Sequence, residues 1–390
     1  MSQAISGTQT RFMSQARSLQ VVYTLRLALG YTVLLGSILF LLGTSWDIQW
    51  HSLIGRDRTL IPPHIIMLSG VAISGIASLV AVFIETVLVR RYPLIAQNST
   101  RFGNALHSSL GTYIAGYAAL NAAIAFPLDA YWHALYGIDV AIWAPFHIMF
   151  VMGMAIVALG AAFMLVSAAN LAGDNGSHRA KRIGSLGGIV AFGTMLGLLT
   201  ILLFDALGNK GILNFGDISV NVFFFLSGLA VTWTFVSAAV AIPGRWTATC
   251  VAVVYILAAL VIALFVPPAT TALVAAEHLT FRTSNPGVAL VAFEWPLAPI
   301  LGAIAIDILF RMARRKSWSF RKRLLTIAPI ALIGSIPTAI YLPTFILVLF
   351  NYLGLAGLLV SLLLGLLGSL LGTWLGLRMG SSMQQIERAL

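Results

Sequence analysis

Two stretches of this chain spend their few polar residues in the same way. One runs WDIQWHSLIGRDRTLIPPHIIML from Trp46, the other DAYWHALYGIDVAIWAPFHIMFV from Asp129. Aligned on Asp47 and Asp129, they repeat Asp, Trp-His, Gly-x-Asp and Pro-x-His-Ile in one order. Asp47 and His51 are four residues apart, as are Asp129 and His133. On a helical turn that spacing puts both side chains on one face. His64 and His147 follow 13 and 14 residues after the first histidine, each just behind a proline that suits the first turn of a new helix. One carboxylate and two imidazoles thus converge from the foot of one helix and the head of the next. That donor set binds transition metals, imidazole suiting copper, zinc, iron or nickel. Asp57 and Asp139, repeated but off this spacing, fit a supporting place, accepting the outer ring N–H of a ligand histidine.

The elements that must hold these groups are membrane helices. Of 390 residues 59% are hydrophobic and 9% charged, where soluble domains carry roughly 25% charged. A mean hydropathy of +0.95 over the whole length indicates a polytopic membrane protein. The net charge of +11 does not point to nucleic acid, because the basic residues come in short clusters between apolar runs, as topology signals do. The single cysteine, Cys250, excludes an intrachain disulfide. A span needs about 20 apolar residues, and ten stretches qualify: 22–45, 63–89, 104–126, 144–170, 185–206, 218–242, 247–266, 288–312, 325–350 and 352–378. The break between the last two, at NYLG, is the weakest.

The expected fold is therefore all-α, a polytopic bundle of about ten transmembrane helices. A cytoplasmic segment, 1–21, precedes two helix–motif–helix units, 22–90 and 104–172, and a six-helix region follows at 185–390. Both units run the same way, which makes a parallel repeat about an axis along the membrane normal. Orientation follows from Lys and Arg. With the N-terminus inside, the inner segments hold Arg11, Arg17, Arg90, Arg91, Arg101, Arg179, Lys181, Arg182, Arg245 and the cluster RMARRKSWSFRKR; the outer ones hold only Arg56, Arg58, Lys210 and Arg282. Both termini then face the cytoplasm and the motif loops the outside of an inner membrane. Five of the seven histidines fall on that outer side. Trp46, Trp50, Tyr131, Trp132 and Trp143 suit the aromatic belt of the same interface.

Asp-x3-His-x12-His followed by a span resembles the metal motif in the C-type subunit of the copper membrane monooxygenases, the methane and ammonia oxidisers. Asp47, His51 and His64 keep the full spacing; Asp129, His133 and His147 carry one extra residue, with an APFHIMFV ending similar to the family's own. The likeness covers about 25 residues per copy. It implies that all six residues are copper ligands near the outer face, and that the chain oxidises a small substrate. The family's subunit carries one such motif in a shorter chain and works with partner subunits, whereas here the motif is doubled and six more spans follow.

Other residues add to the expectations. Glu277, His278 and Glu294 lie on the same side as both motifs, as further ligands or a proton relay, intramembrane carboxylates being functional candidates by default. Asp307 is expected to pair with Arg311 or Arg314 one turn on. Gly368, Gly372 and Gly376 recur every fourth residue, a face for close helix packing within the chain, against another membrane subunit or in a homo-oligomer. Pro329, Pro337 and Pro343 interrupt the ninth span. No Walker A loop, nucleophile elbow, Cys-x-x-Cys-His or HExxH is present. Beside a copper, zinc or iron protein, three readings stay open: a cation or proton transporter or channel, a haem b protein with two of the histidines as axial ligands, and a structural subunit of a larger complex.

Overall fold

The computed structural model describes residues 2–55, 60–137, 141–207, 211–285, 287–293, 298–335 and 342–387. Asp57, Asp139, Glu294 and Pro337 lie outside the described residues. The first half comprises α1 (Ser2–Leu53), α2 (Pro62–Arg91), a short α3 (Pro93–Gln97), a hairpin of β1 (Thr100–Phe102) and β2 (Leu106–Ser108), α4 (Leu110–Tyr136) and α5 (Pro145–Asp174). Then come α6 (His178–Leu207), a second hairpin of β3 (Ile212–Phe215) and β4 (Ile218–Asn221), α7 (Phe223–Ala241) and α8 (Thr247–Ala276). The chain closes with α9 (Leu290–Phe293), α10 (Ala298–Arg315), α11 (Phe320–Ser335) and α12 (Leu342–Gln385).

Seven helices among the described residues are long and apolar enough to cross a membrane: α1 from Ala16, α2, α5, α6 to Leu203, α7, α8 and α12 from Phe350. The architecture is a helical bundle of membrane type. Several expected spans are altered. The third starts later than its apolar run, because residues 100–108 fold into a hairpin around Gly103 (φ 58) and Ser109 then caps α4 by accepting from Thr112 N–H at 3.2 Å. The sixth loses its first residues to β4, paired with β3 around Gly216 (φ 61). At NYLG the backbone is non-helical at Gly354 (φ 65), within α12 and within its apolar stretch from Phe350.

Within the first half, α1 packs on α2 and α5, and α4 packs on α5 and α2. Small residues bring the backbones close. A side chain at Gly70 would strike the Gly36 carbonyl and Phe40, and one at Gly153 the Ala118 carbonyl and Ala122. Gly111 and Gly160 close the other end of the α4–α5 contact. Asn121 on α4 donates to the Met149 carbonyl of α5 at 2.9 Å.

The glycine stripe of α12 lies against α7 of the same chain: side chains at Gly368, Gly372 and Gly376 would meet Phe225, Leu229 with Thr232, and Val236. At these three glycines the stripe is taken up within the chain. Asp307 does more than expected. Arg311 acts on it by charge, and its carboxylate accepts from Ala248 N–H, Thr249 N–H and the Thr249 hydroxyl at 3.1, 2.8 and 2.8 Å. It satisfies the open amides at the start of α8. Arg311 stacks over Trp246 and Arg314 donates to the Gly244 carbonyl.

At the end of the bundle remote from the motifs, a buried ion cluster ties six segments together. Arg26 grips Glu85 with two hydrogen bonds of 3.0 and 2.9 Å and donates to Glu387 and Ser167 at 2.9 and 2.7 Å. Glu387 accepts in addition from Thr100 and from Leu110 N–H.

Candidate metal centre

Asp47 and His51 occupy the last two turns of α1, and Asp129 and His133 the last two of α4. Each helix is stopped by the glycine of the repeated Gly-x-Asp. Gly55 (φ 65) donates its N–H to the His51 carbonyl at 3.2 Å, and Gly137 (φ 84) to the His133 carbonyl at 2.9 Å. Left-handed backbone of this kind favours a residue without Cβ. The chain then turns back and restarts at Pro62 and Pro145, each after a residue in extended backbone. A proline in the first helical turn gives up an N–H that has no partner there. His64 and His147 are therefore the third residues of α2 and α5.

These ends bring all six predicted ligands into two groups. In each, one donor atom per residue lies within 4.8 Å of the others. Nε2 of His64 and of His51 are 3.0 and 3.4 Å from Asp47 Oδ1. In the second group Nε2 of His147 is 3.1 Å from Asp129 Oδ1, and Nε2 of His133 is 3.4 Å from Oδ2. The six side chains are 10–24% exposed, shielded but reachable.

In the first group both imidazoles act on the Asp47 carboxylate, by charge and by hydrogen bonding. In the second, Asp129 Oδ1 is buried and accepts no hydrogen bond of sound geometry from the described residues. His133 Nδ1 lies 3.1 Å from the Gly137 carbonyl and His147 Nδ1 2.8 Å from the Ala141 carbonyl. A carbonyl oxygen only accepts, so both Nδ1 atoms carry the proton. In the neutral ring Nε2 is then a lone-pair donor. Two such lone pairs face a carboxylate, an arrangement that a cation between them turns from repulsive to binding.

Both groups line one cavity of about 590 Å³ of atom-free space, its opening included. The rest of its described wall is Thr44 and six apolar residues, Ile48, Met67, Ile142, Phe150, Val151 and Ile201, contributed by α1, α2, α5, α6 and the turn before α5. No Lys or Arg is among them. Aromatic edges hold the rings in place: Phe126 of α4 stands edge-on to His64 at 6.3 Å and leans on Phe150 at 6.3 Å. Trp143 donates to the Leu202 carbonyl at 2.8 Å, fixing the head of α5 to α6.

Glu277 and His278 join neither group and do not line the cavity. They end α8, His278 exposed and with φ 53. Sequence reasoning passed over Gln49, whose amide donates to the Val288 carbonyl and accepts from Leu290 N–H at 3.0 and 2.8 Å, holding a segment of the second half beside Asp47 and His51. Its counterpart in the other copy is Tyr131, so repetition gave no signal. Gly70 and Gly153 were visible: each stands six residues after its histidine, in HIIMLSG and HIMFVMG. No protein-family model, curated protein or solved structure matches this chain.

Proposed function

We propose that the chain is an inner-membrane metalloprotein that binds one copper ion at each Asp-His-His group and uses them to oxidise a small substrate. The observation that carries metal binding is the half-buried Asp129 carboxylate, with one oxygen shielded, faced by two Nε2 lone pairs of neutral rings whose protons are held by backbone carbonyls on the other side. Three protein donors leave a coordination position for water or substrate, as catalytic sites do and closed structural sites do not. A bound ion would supply Lewis-acid or redox chemistry, while the chain fixes the donors and surrounds them with an apolar wall. Among metals suited to imidazole, copper is favoured by its place in the affinity order and by the resemblance of Asp47, His51 and His64 to the copper monooxygenase motif.

The proposed topology keeps ten spans, with both termini inside and the motif turns outside. Beyond the seven apolar helices, α4 counts as a crossing, being about 40 Å long at 1.5 Å per residue. α10 and the pair α11 with the first part of α12 complete the number. The two hairpins are related by a twofold axis along the membrane normal. Exchanging α1 for α4 and α2 for α5 turns the α1–α5 contact into α4–α2, and both contacts occur. A transporter finds less support, because the described cavity wall beyond the two groups is apolar except at Thr44.

The test is elemental mass spectrometry on purified protein beside a His51→Ala/His133→Ala double variant. Copper bound in stoichiometric amount by the wild type and lost from an inserted, folded variant supports the reading. Absence of metal from both after copper loading overturns it, and a Soret band would redirect it to haem.

A further inference from the structure

We infer that the two Asp-His-His groups form one paired centre: a single small donor ligand, anionic when the ions are divalent, binds in the cavity between them and contacts both metal ions. This rests on the metal-binding reading. Its own ground is the shared cavity, which all six ligand residues line together.

Three features lead from a shared cavity to a shared ligand. First, each ion would hold three protein donors and keep an open position. Because the donor atoms themselves line the cavity, its interior is space that both open positions can share. Secondly, the remaining described wall offers little else to bond. Thr44 supplies one hydroxyl, and the other six wall residues are apolar. A guest with any polarity is therefore held by the ions and not by the wall. Thirdly, the charges select the guest. The second group's histidines bond to backbone carbonyls through Nδ1 and coordinate as neutral rings. Each carboxylate offsets one unit of a divalent ion's charge, which leaves a positive surplus in an apolar pocket without another described charged residue on its wall. Electrostatic attraction is strong in such surroundings. The surplus is two units for two divalent ions; a small monovalent anion offsets half of it, and one with a donor atom at each end offers a contact to both ions. The packing of α5 on α1 and α2 on α4 holds the two groups against the same space.

The experiment titrates sodium azide into the copper(II)-loaded protein, following the azide-to-copper charge-transfer band and the copper paramagnetic resonance spectrum. The expected result is one azide for two coppers, with a change in the signals of both ions. In His133→Ala, which keeps the first group intact, azide affinity falls by at least tenfold. A second variant, Ile201→Trp, narrows the cavity from α6 and replaces no ligand; it retains both coppers and weakens azide binding by at least tenfold. Two azides per chain that bind independently, with full affinity retained in His133→Ala, overturn the pairing while leaving two separate metal sites standing. Failure to bind copper at all overturns the metal reading first, and the pairing with it.

Discussion

Exchanging Asp129 for asparagine separates a metal site from a hydrogen-bonded cluster. With the Nδ1 protons of His133 and His147 given to the Gly137 and Ala141 carbonyls, both Nε2 atoms of the neutral rings face Asp129 as acceptors. In Asp129→Asn the amide nitrogen takes one oxygen's place and donates to His147 Nε2 across the 3.1 Å that now separates those atoms. A neutral hydrogen bond adds about 1 kcal/mol, so the metal-free variant unfolds at the wild-type temperature or slightly above it. With copper the outcome reverses. A residue that merely supports a ligand contributes roughly 10–100-fold in metal affinity, and a charged ligand contributes at least the upper figure. At a copper concentration 1,000 times the wild-type Kd, binding at this site stabilises the native state by about 4.1 kcal/mol; a 100-fold weaker site gains about 1.4 kcal/mol. An unfolding entropy of about 0.8 kcal/mol per kelvin for a chain of this length turns the difference into a copper-induced shift about 3 °C smaller. Tryptophan-fluorescence melts in chelator and in buffered copper measure both effects. A variant that melts several degrees below wild type in chelator, yet gains the full copper shift, would refute the reasoning. Asp129 would then be the partner of a protonated imidazole in a purely structural cluster.

Further outcomes follow from the packing. Glu85→Gln breaks one of the paired hydrogen bonds to buried Arg26, which keeps Glu387 as its counter-charge; the cost is about 1–3 kcal/mol, and the melting temperature falls by about 1–4 °C. Copper per folded chain should not change, because Arg26 precedes Asp47 by about 31 Å of helix at 1.5 Å per residue; loss of copper would show that the cluster reaches the site. Gly70→Leu drives a side chain into the Gly36 carbonyl and pushes α2 off α1. Elemental analysis should find copper at the second group and not at the first, and full occupancy of both would contradict the role of this contact. Gly372→Leu strikes the Leu229 carbonyl of α7. It should reduce the yield of folded protein, while light scattering finds the oligomeric state of the remainder unchanged; an altered state at full yield would mean the stripe serves association.

The site was legible because polar residues stand out against an apolar background. Asp47, His51 and His64 needed only a helical turn and a proline to be joined, and the second copy repeated the pattern. Interactions distant in sequence left no such trace. Arg26 meets Glu85 and Glu387 across 59 and 361 residues, and no local pattern ties three isolated charges together. The rule of neighbouring turns offered Asp307 two arginines on its own helix; its hydrogen bonds came from the open amides of another, Ala248 and Thr249. Spacing identified Gly368, Gly372 and Gly376 as a packing face, but the partner helix α7 became known only from the fold. The hairpins at 100–108 and 212–221 were missed because short strands beside long apolar runs read as parts of those runs.

The fold also bears on why the motif occurs twice. One helical hairpin gathers three donors but leaves them open on the side away from its own two helices. Here each hairpin closes the other. Phe126 of α4 stands against His64 of α2, and Phe150 and Val151 of α5 wall the cavity beside Asp47 and His51. In return Thr44, Ile48 and Met67 of the first hairpin wall the same cavity beside Asp129. An apolar wall strengthens the attraction between a carboxylate and a bound cation and restricts access by bulk water. On the proposed copper reading, a chain with a single motif needs a neighbouring subunit to supply that wall. Two copies in one chain supply it to each other, and in doing so they bring two open coordination positions onto one space.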